Sequence, residues 1–193
     1  QLNSEQLDQF PDILLEILRK TVSANTYSTN LVTKAFVDRI LLCLASYSVR
    51  HMNSLNYIFA SCIQIIETGC NNKNIDLTII GLELLCAIPL ELIEYKNNTN
   101  DNSNVDIVNY LIEQQSKINP ILNAAYNITS PLSSPLGIII LKVVGSWSSY
   151  TFTLASLYCE NVNADIMDSI ITPALGSRQK GLLKEAFLAL KAS

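Results

Sequence analysis

The sequence predicts an all-α fold, an α-α stack of about eight antiparallel helices. Three observations predict it. Apolar residues recur at helical rather than strand spacing along most of the chain. Six glycines and six prolines in 193 residues are too few for a turn-rich β protein. Third, 49% of the residues are apolar and 16% charged, with a mean hydropathy of +0.25, whereas soluble domains carry about 25% charged residues. That excess has no membrane span to absorb it, since a span needs about 20 apolar residues. The nearest stretch, 77–93, is interrupted by Thr78, Glu83 and Glu91. It must therefore be buried by helix packing on helix.

Element by element, the first helix runs over about 11–22, with Pro11 in the first turn and Ile13, Leu14, Ile17 and Leu18 as its apolar set. The second runs over about 30–48, capped by Asn30. Its polar stripe is narrow: Lys34, Asp38 and Arg39, against Phe36, Ile40, Leu41 and Leu44. The third, about 53–67, turns Asn56, Gln64 and Glu67 outward, and Gly69 is its expected stop. The fourth, about 77–88, has Asp76 as its cap and Pro89 as its end or kink. A solvated loop is expected over 96–104. The fifth, about 105–128, carries Glu113 and Lys117 one turn apart, and Pro120 is a point where it could split. The sixth, about 134–150, is almost wholly apolar. The seventh and eighth cover about 164–175 and 178–191, with Gly176 as the stop between them.

The helices alternate in character. The second, fourth and sixth are nearly uniformly apolar; the third, fifth and seventh have a polar face. The apolar ones, with the eighth, begin near 31, 76, 135 and 178, at spacings of 45, 59 and 43 residues. Helical hairpins at about 40–47 residues mark HEAT and armadillo arrays. A helix contacted on three sides must be apolar nearly all round. The expected organisation is one array over 1–193, with hairpins at 30–68, 76–128 and 135–175 and half-repeats at 11–22 and 178–191. No polar cap is evident at either end. The first helix and the eighth (Leu182, Leu183, Phe187, Leu190) are therefore expected to expose apolar surface and to self-associate. The chain starts at Gln1 with no signal peptide visible, and reads as an internal fragment.

Charge and cysteine usage narrow the function. A net charge of −4 and a pI near 5.0 argue against nucleic-acid binding. Cys43, Cys62, Cys70, Cys86 and Cys159 form no C-x-x-C pair, which fits a reducing compartment, cytosol or nucleus. Cys43, Cys62 and Cys86 are expected to pack as small hydrophobes.

Three segments resemble a known family. Leu82-Glu83-Leu84-Leu85-Cys86-Ala87-Ile88-Pro89-Leu90-Glu91 is similar to the Leu-Leu-Glu-Leu-Leu…Leu-Pro-Glu-Glu segment of the importin-β (β-karyopherin) superfamily, in its transportin-SR-like branch. Ile140-Leu141-Lys142-Val143-Val144-Gly145-Ser146-Trp147 resembles that branch's Val-Leu…Ser-Ser-Trp helix. Leu42-Cys43-Leu44-Ala45-Ser46-Tyr47-Ser48 resembles its earlier Leu-Cys…Leu-Ala segment. They occur in the family's order. At Leu90 this chain departs from a position where the family often has an acid. The resemblance implies a HEAT-repeat nuclear transport receptor that shuttles between cytoplasm and nucleus. Its partners would be cargo protein, the GTP-bound form of the small GTPase Ran and Phe-Gly nucleoporins, with no catalysis and no cofactor. Other readings are a different HEAT scaffold, of the phosphatase regulatory or vesicle-coat type, and an all-α enzyme.

No catalytic set is legible. His51 is the sole histidine and is expected to serve the C-terminal end of the second helix. Zinc spacing and a nucleophile motif are both missing from the sequence. Trp147 is expected in the core. The candidate partner-binding residues are Glu67, Glu113 and Lys117, together with the carboxylate pair Asp165 and Asp168. In the family's architecture the second helix of each hairpin lines the concave side.

Overall fold

The computed structural model describes residues 9–23, 30–98, 105–128, 134–148, 171–176 and 180–192. They form helices α1 (Phe10–Ser23), α2 (Leu31–Arg50), α3 (Met52–Asn71), α4 (Ile75–Asn98), α5 (Val105–Tyr126), α6 (Ser134–Ser148), α7 (Thr172–Leu175) and α8 (Lys180–Ala192). The fold is all-α. Helices α2, α4, α6 and α8 pack side by side in one row. A second row, α3 and α5 with α1 ahead of them, lies against it: α1 on α2, α3 on both α2 and α4, and α5 on α3 and α6. The second expected hairpin joins α4 to α5, but α5 makes its main contacts with α3 and α6.

The packing explains the alternating hydrophobicity. Helix α4 is flanked by α2 and α6 and backed by α3, so Leu82, Leu84, Leu85, Ile88 and Leu92 are all fully buried. An aromatic cluster joins the rows. The Phe59 ring of α3 lies 6.0 Å from both Tyr110 of α5 and Trp147 of α6. Trp147 is fully buried, as expected. Such pairs add about 0.5–1.5 kcal/mol beyond area burial.

Local chemistry sets the helix ends, and several differ from expectation. The Asn30 side chain does cap α2, accepting from the Val32 and Thr33 amides at 2.9 and 3.2 Å. Gly69 does not stop α3. The helix continues to Asn71, where Lys73 takes a left-handed φ of 51°. The Asn74 amide donates to the Gly69 carbonyl at 2.8 Å and the Lys73 amide to the Cys70 carbonyl at 3.1 Å, a Schellman closure. Gly69 serves packing instead. A Cβ there would sit 2.7 Å from the Thr78 backbone nitrogen, so its hydrogen lets α3 and α4 touch. Gly81 acts likewise against Ile66.

Asn74, not Asp76, caps α4, its side chain accepting from the Leu77 amide at 3.0 Å. Nor does Pro89 end that helix, which runs on to Asn98 through part of the expected loop. A proline lacks the amide that would bond the carbonyl four residues earlier. That carbonyl belongs to Leu85, and the Trp147 indole donates to it at 2.9 Å. The buried acceptor is thereby satisfied from α6. Pro120 in α5 needs no such help, because it and Ser116 both face solvent.

The expected end effects are redistributed. Helix α1 buries Leu15 and Leu18 but turns Asp12, Glu16, Arg19 and Lys20 outward, with Lys20 and Glu16 paired at 2.6 Å. It therefore supplies a largely polar cap, although Ile13 remains half-exposed. The bare apolar surface lies on α2 instead, at Leu31, Val32, Phe36 and Leu42. Cys43 is exposed there too, not packed in a core. At the other end Leu182 is buried, while Phe187 and Leu188 are exposed.

Candidate functional site

Of the expected partner-binding residues, Glu67, Glu113 and Lys117 share the second row without forming a cluster. Glu67 projects to solvent near the end of α3, and Glu113 and Lys117 do so from α5. The Lys117 ammonium donates to the Gln114 side chain at 2.6 Å. Glu113 lies close enough to act on Tyr110, whose phenol is pushed up to about 12 by burial first and by that charge second. Asp165 and Asp168 lie outside the described residues, as do Cys159 and most of the expected seventh helix.

Three of the described cysteines, Cys62, Cys70 and Cys86, are poorly suited to nucleophilic chemistry. Burial pushes the Cys62, Cys70 and Cys86 thiols above their ordinary range. Cys62 donates to the Gly81 carbonyl at 3.0 Å from a fully buried position. A thiol held protonated this way is a packing group. No set of three His, Cys, Asp or Glu side chains among the described residues could hold a metal ion. No described helix is long and apolar enough to cross a membrane. His51 forms the single-residue corner between α2 and α3; its ring stacks on Tyr47 at 4.2 Å, and its amide donates to the Tyr47 carbonyl.

The concave features lie along the first row. One cleft opens between the C-terminal halves of α2 and α4, walled by Leu42, Val49 and Tyr95 and edged by Arg50, Glu91 and Glu94. A second, of about 410 Å³, opens between α4, α6 and α8, with Leu90, Leu141 and Leu188 around a floor of Gly145 and Ser146. The Lys142 side chain lines this groove and also a third, towards the N-terminal ends of α2, α4 and α6. All three grooves combine apolar walls with a few charged edges. Sequence reasoning missed these residues because it sought contact residues only on the amphipathic helices. Leu90 was the available signal: it is half-exposed where the similar family often has an acid.

The three family-like segments fall on α2, α4 and α6, successive members of one row. Most of their residues are buried, so the expected resemblance rests mainly on packing positions. No family model, curated protein or solved structure matches this chain.

Proposed function

We propose that this chain is a length of protein-binding helical scaffold of the nuclear transport receptor type, carrying cargo protein through the nuclear pore. The reading is supported by one observation above others: segments similar to the β-karyopherins recur in order on consecutive helices of a single row. A two-row stack offers long solvent faces and shallow grooves, and such faces bind extended partners. In this reading the second row, with Glu67, Glu113 and Lys117, meets cargo or GTP-bound Ran. The first-row grooves suit Phe-Gly nucleoporins. The protein works by binding, without catalysis or a cofactor, and moves between cytoplasm and nucleus.

Ran binding tests the reading. Ran loaded with GTP or with GDP is titrated against this chain and against any longer natural product containing it. Tighter binding of the GTP form is expected in at least the longer product. Equal or absent binding in both states would remove the transport assignment and leave the all-α stack intact.

A further inference from the structure

We propose that the part of α4 beyond Pro89 is a hinged arm, clamped by the Trp147 indole, whose swing narrows one first-row groove as it widens another. The proposal does not depend on what fills either groove. The arm, residues 90–98, forms the last turns of α4. It walls two grooves from opposite sides of one helix. Glu91, Glu94 and Tyr95 line the α2–α4 cleft, with Leu42, Ser46 and Val49 of α2 across from them. Leu90, with Cys86 one turn before it, lines the α4–α6–α8 groove, with Leu141 and Leu188 across from it. Because the two share this wall, space gained on one side is lost on the other.

The joint is weak along the helix and held from across it. Pro89 has no amide to give the Leu85 carbonyl, and a proline ring presses on the carbonyl four residues back, which opens that turn. The bond that Leu85 does receive comes from outside α4, from the Trp147 indole at 2.9 Å. Leu85, Pro89 and Trp147 are all buried, so water does not take that donor's place. On its inner face the arm is anchored by Leu92, fully buried, through apolar contact that has no preferred direction. The opposing walls are firmer. A Cβ at Gly145 would lie 3.3 Å from Ala189, so α6 and α8 already touch. Helices α2, α6 and α8 carry no proline beyond their first turn. Helix α4 is thus the wall with a built-in joint, and hinges of this kind turn at a few residues.

The test is alkylation of the whole chain by N-ethylmaleimide, followed at each cysteine by mass spectrometry. Cys86 lines the α4–α6–α8 groove beside Leu90 and is 7% exposed, so its rate reports how closely the arm sits to α6 and α8. Cys62 is fully buried and bonded to the Gly81 carbonyl before the joint, so its rate reports opening of the whole stack. Every Cys86 rate is therefore taken relative to Cys62. W147F is expected to raise that ratio by about tenfold, the scale of one buried hydrogen bond. P89A/W147F is expected to bring it back to within about twofold of the parent, because alanine returns the missing amide. S46F, which fills the α2–α4 cleft, is expected to press the arm towards α6 and lower the ratio by about twofold or more. The proposal is overturned if W147F speeds Cys62 as much as Cys86, if P89A fails to reverse the W147F effect, or if S46F does not lower the ratio.

Discussion

The two rows of helices are built to different rules. In the first row, α4 and α6 are enclosed on three sides, and the proline inside α4 is answered by a neighbour. Pro89 leaves the Leu85 carbonyl without its helical partner, and Trp147 supplies one. In the second row, α5 carries Pro120 on its solvent side, where no neighbour is needed. The same residue type is thus a tertiary linchpin in one row and a surface detail in the other. Burial decides which, because an unpaired carbonyl is costly only where water cannot reach it.

The largest effect should come from the seam between the rows. Gly69→Val adds a branched side chain where even a Cβ would press on the Thr78 backbone. A loss of about 3 kcal/mol is expected from overpacking, which outweighs the small gain in helix propensity of valine over glycine. Urea midpoints would measure it. A variant as stable as the parent would mean that α3 and α4 can move apart cheaply.

Next in size is Trp147→Phe, expected to cost about 2–4 kcal/mol through a smaller ring and an unsatisfied buried carbonyl. The sharper test is a double-mutant cycle with Pro89→Ala. Alanine restores an amide to the Leu85 carbonyl, so Trp147→Phe should cost less in that background. Strict additivity would break the account of how α4 passes through its proline.

Alkaline pH probes both rows with smaller effects. The Cys62, Cys70 and Cys86 thiols and the Tyr110 phenol all have raised folded-state pKa values, first because of burial. The folded chain therefore keeps protons that the unfolded chain releases. Their stabilising contribution is full below the ordinary thiol value of 9.0 and phenol value of 10.0, and is lost as pH rises beyond them. Urea midpoints should fall from pH 9 upward. Tyr110→Phe should flatten the part between pH 10 and about 12, the range over which that phenol's proton is held. An unaltered slope would mean that this phenol is not the group responsible.

Smaller again is Lys73→Gly, at a left-handed φ of 51°. Relief of the side-chain clash, offset by glycine's chain entropy, gives an expected gain below about 1 kcal/mol. Smallest are Glu67→Gln and Glu113→Gln on the exposed second row, expected within about 0.5 kcal/mol in melting experiments. A large loss from either would show that the second row hides a charge network.

The sequence by itself determined the helical class, the order of the elements and the burial of Trp147, Cys62 and Leu82, Leu84, Leu85 and Leu92 of α4. These follow from the spacing and amount of apolar surface, which a chain must hide whatever its neighbours. It also determined the Asn30 cap, because the bonded amides lie two and three residues away. Tertiary structure alone decided the roles of Gly69, Pro89 and Leu90, and gave α1 rather than α2 the polar outer face. Each depends on a partner remote in sequence, such as the indole 62 residues beyond Leu85. The candidate site divides the same way. Glu67, Glu113 and Lys117 were legible as exposed residues, but the groove shared by Leu90, Lys142 and Leu188 exists only because α4, α6 and α8 lie in one row.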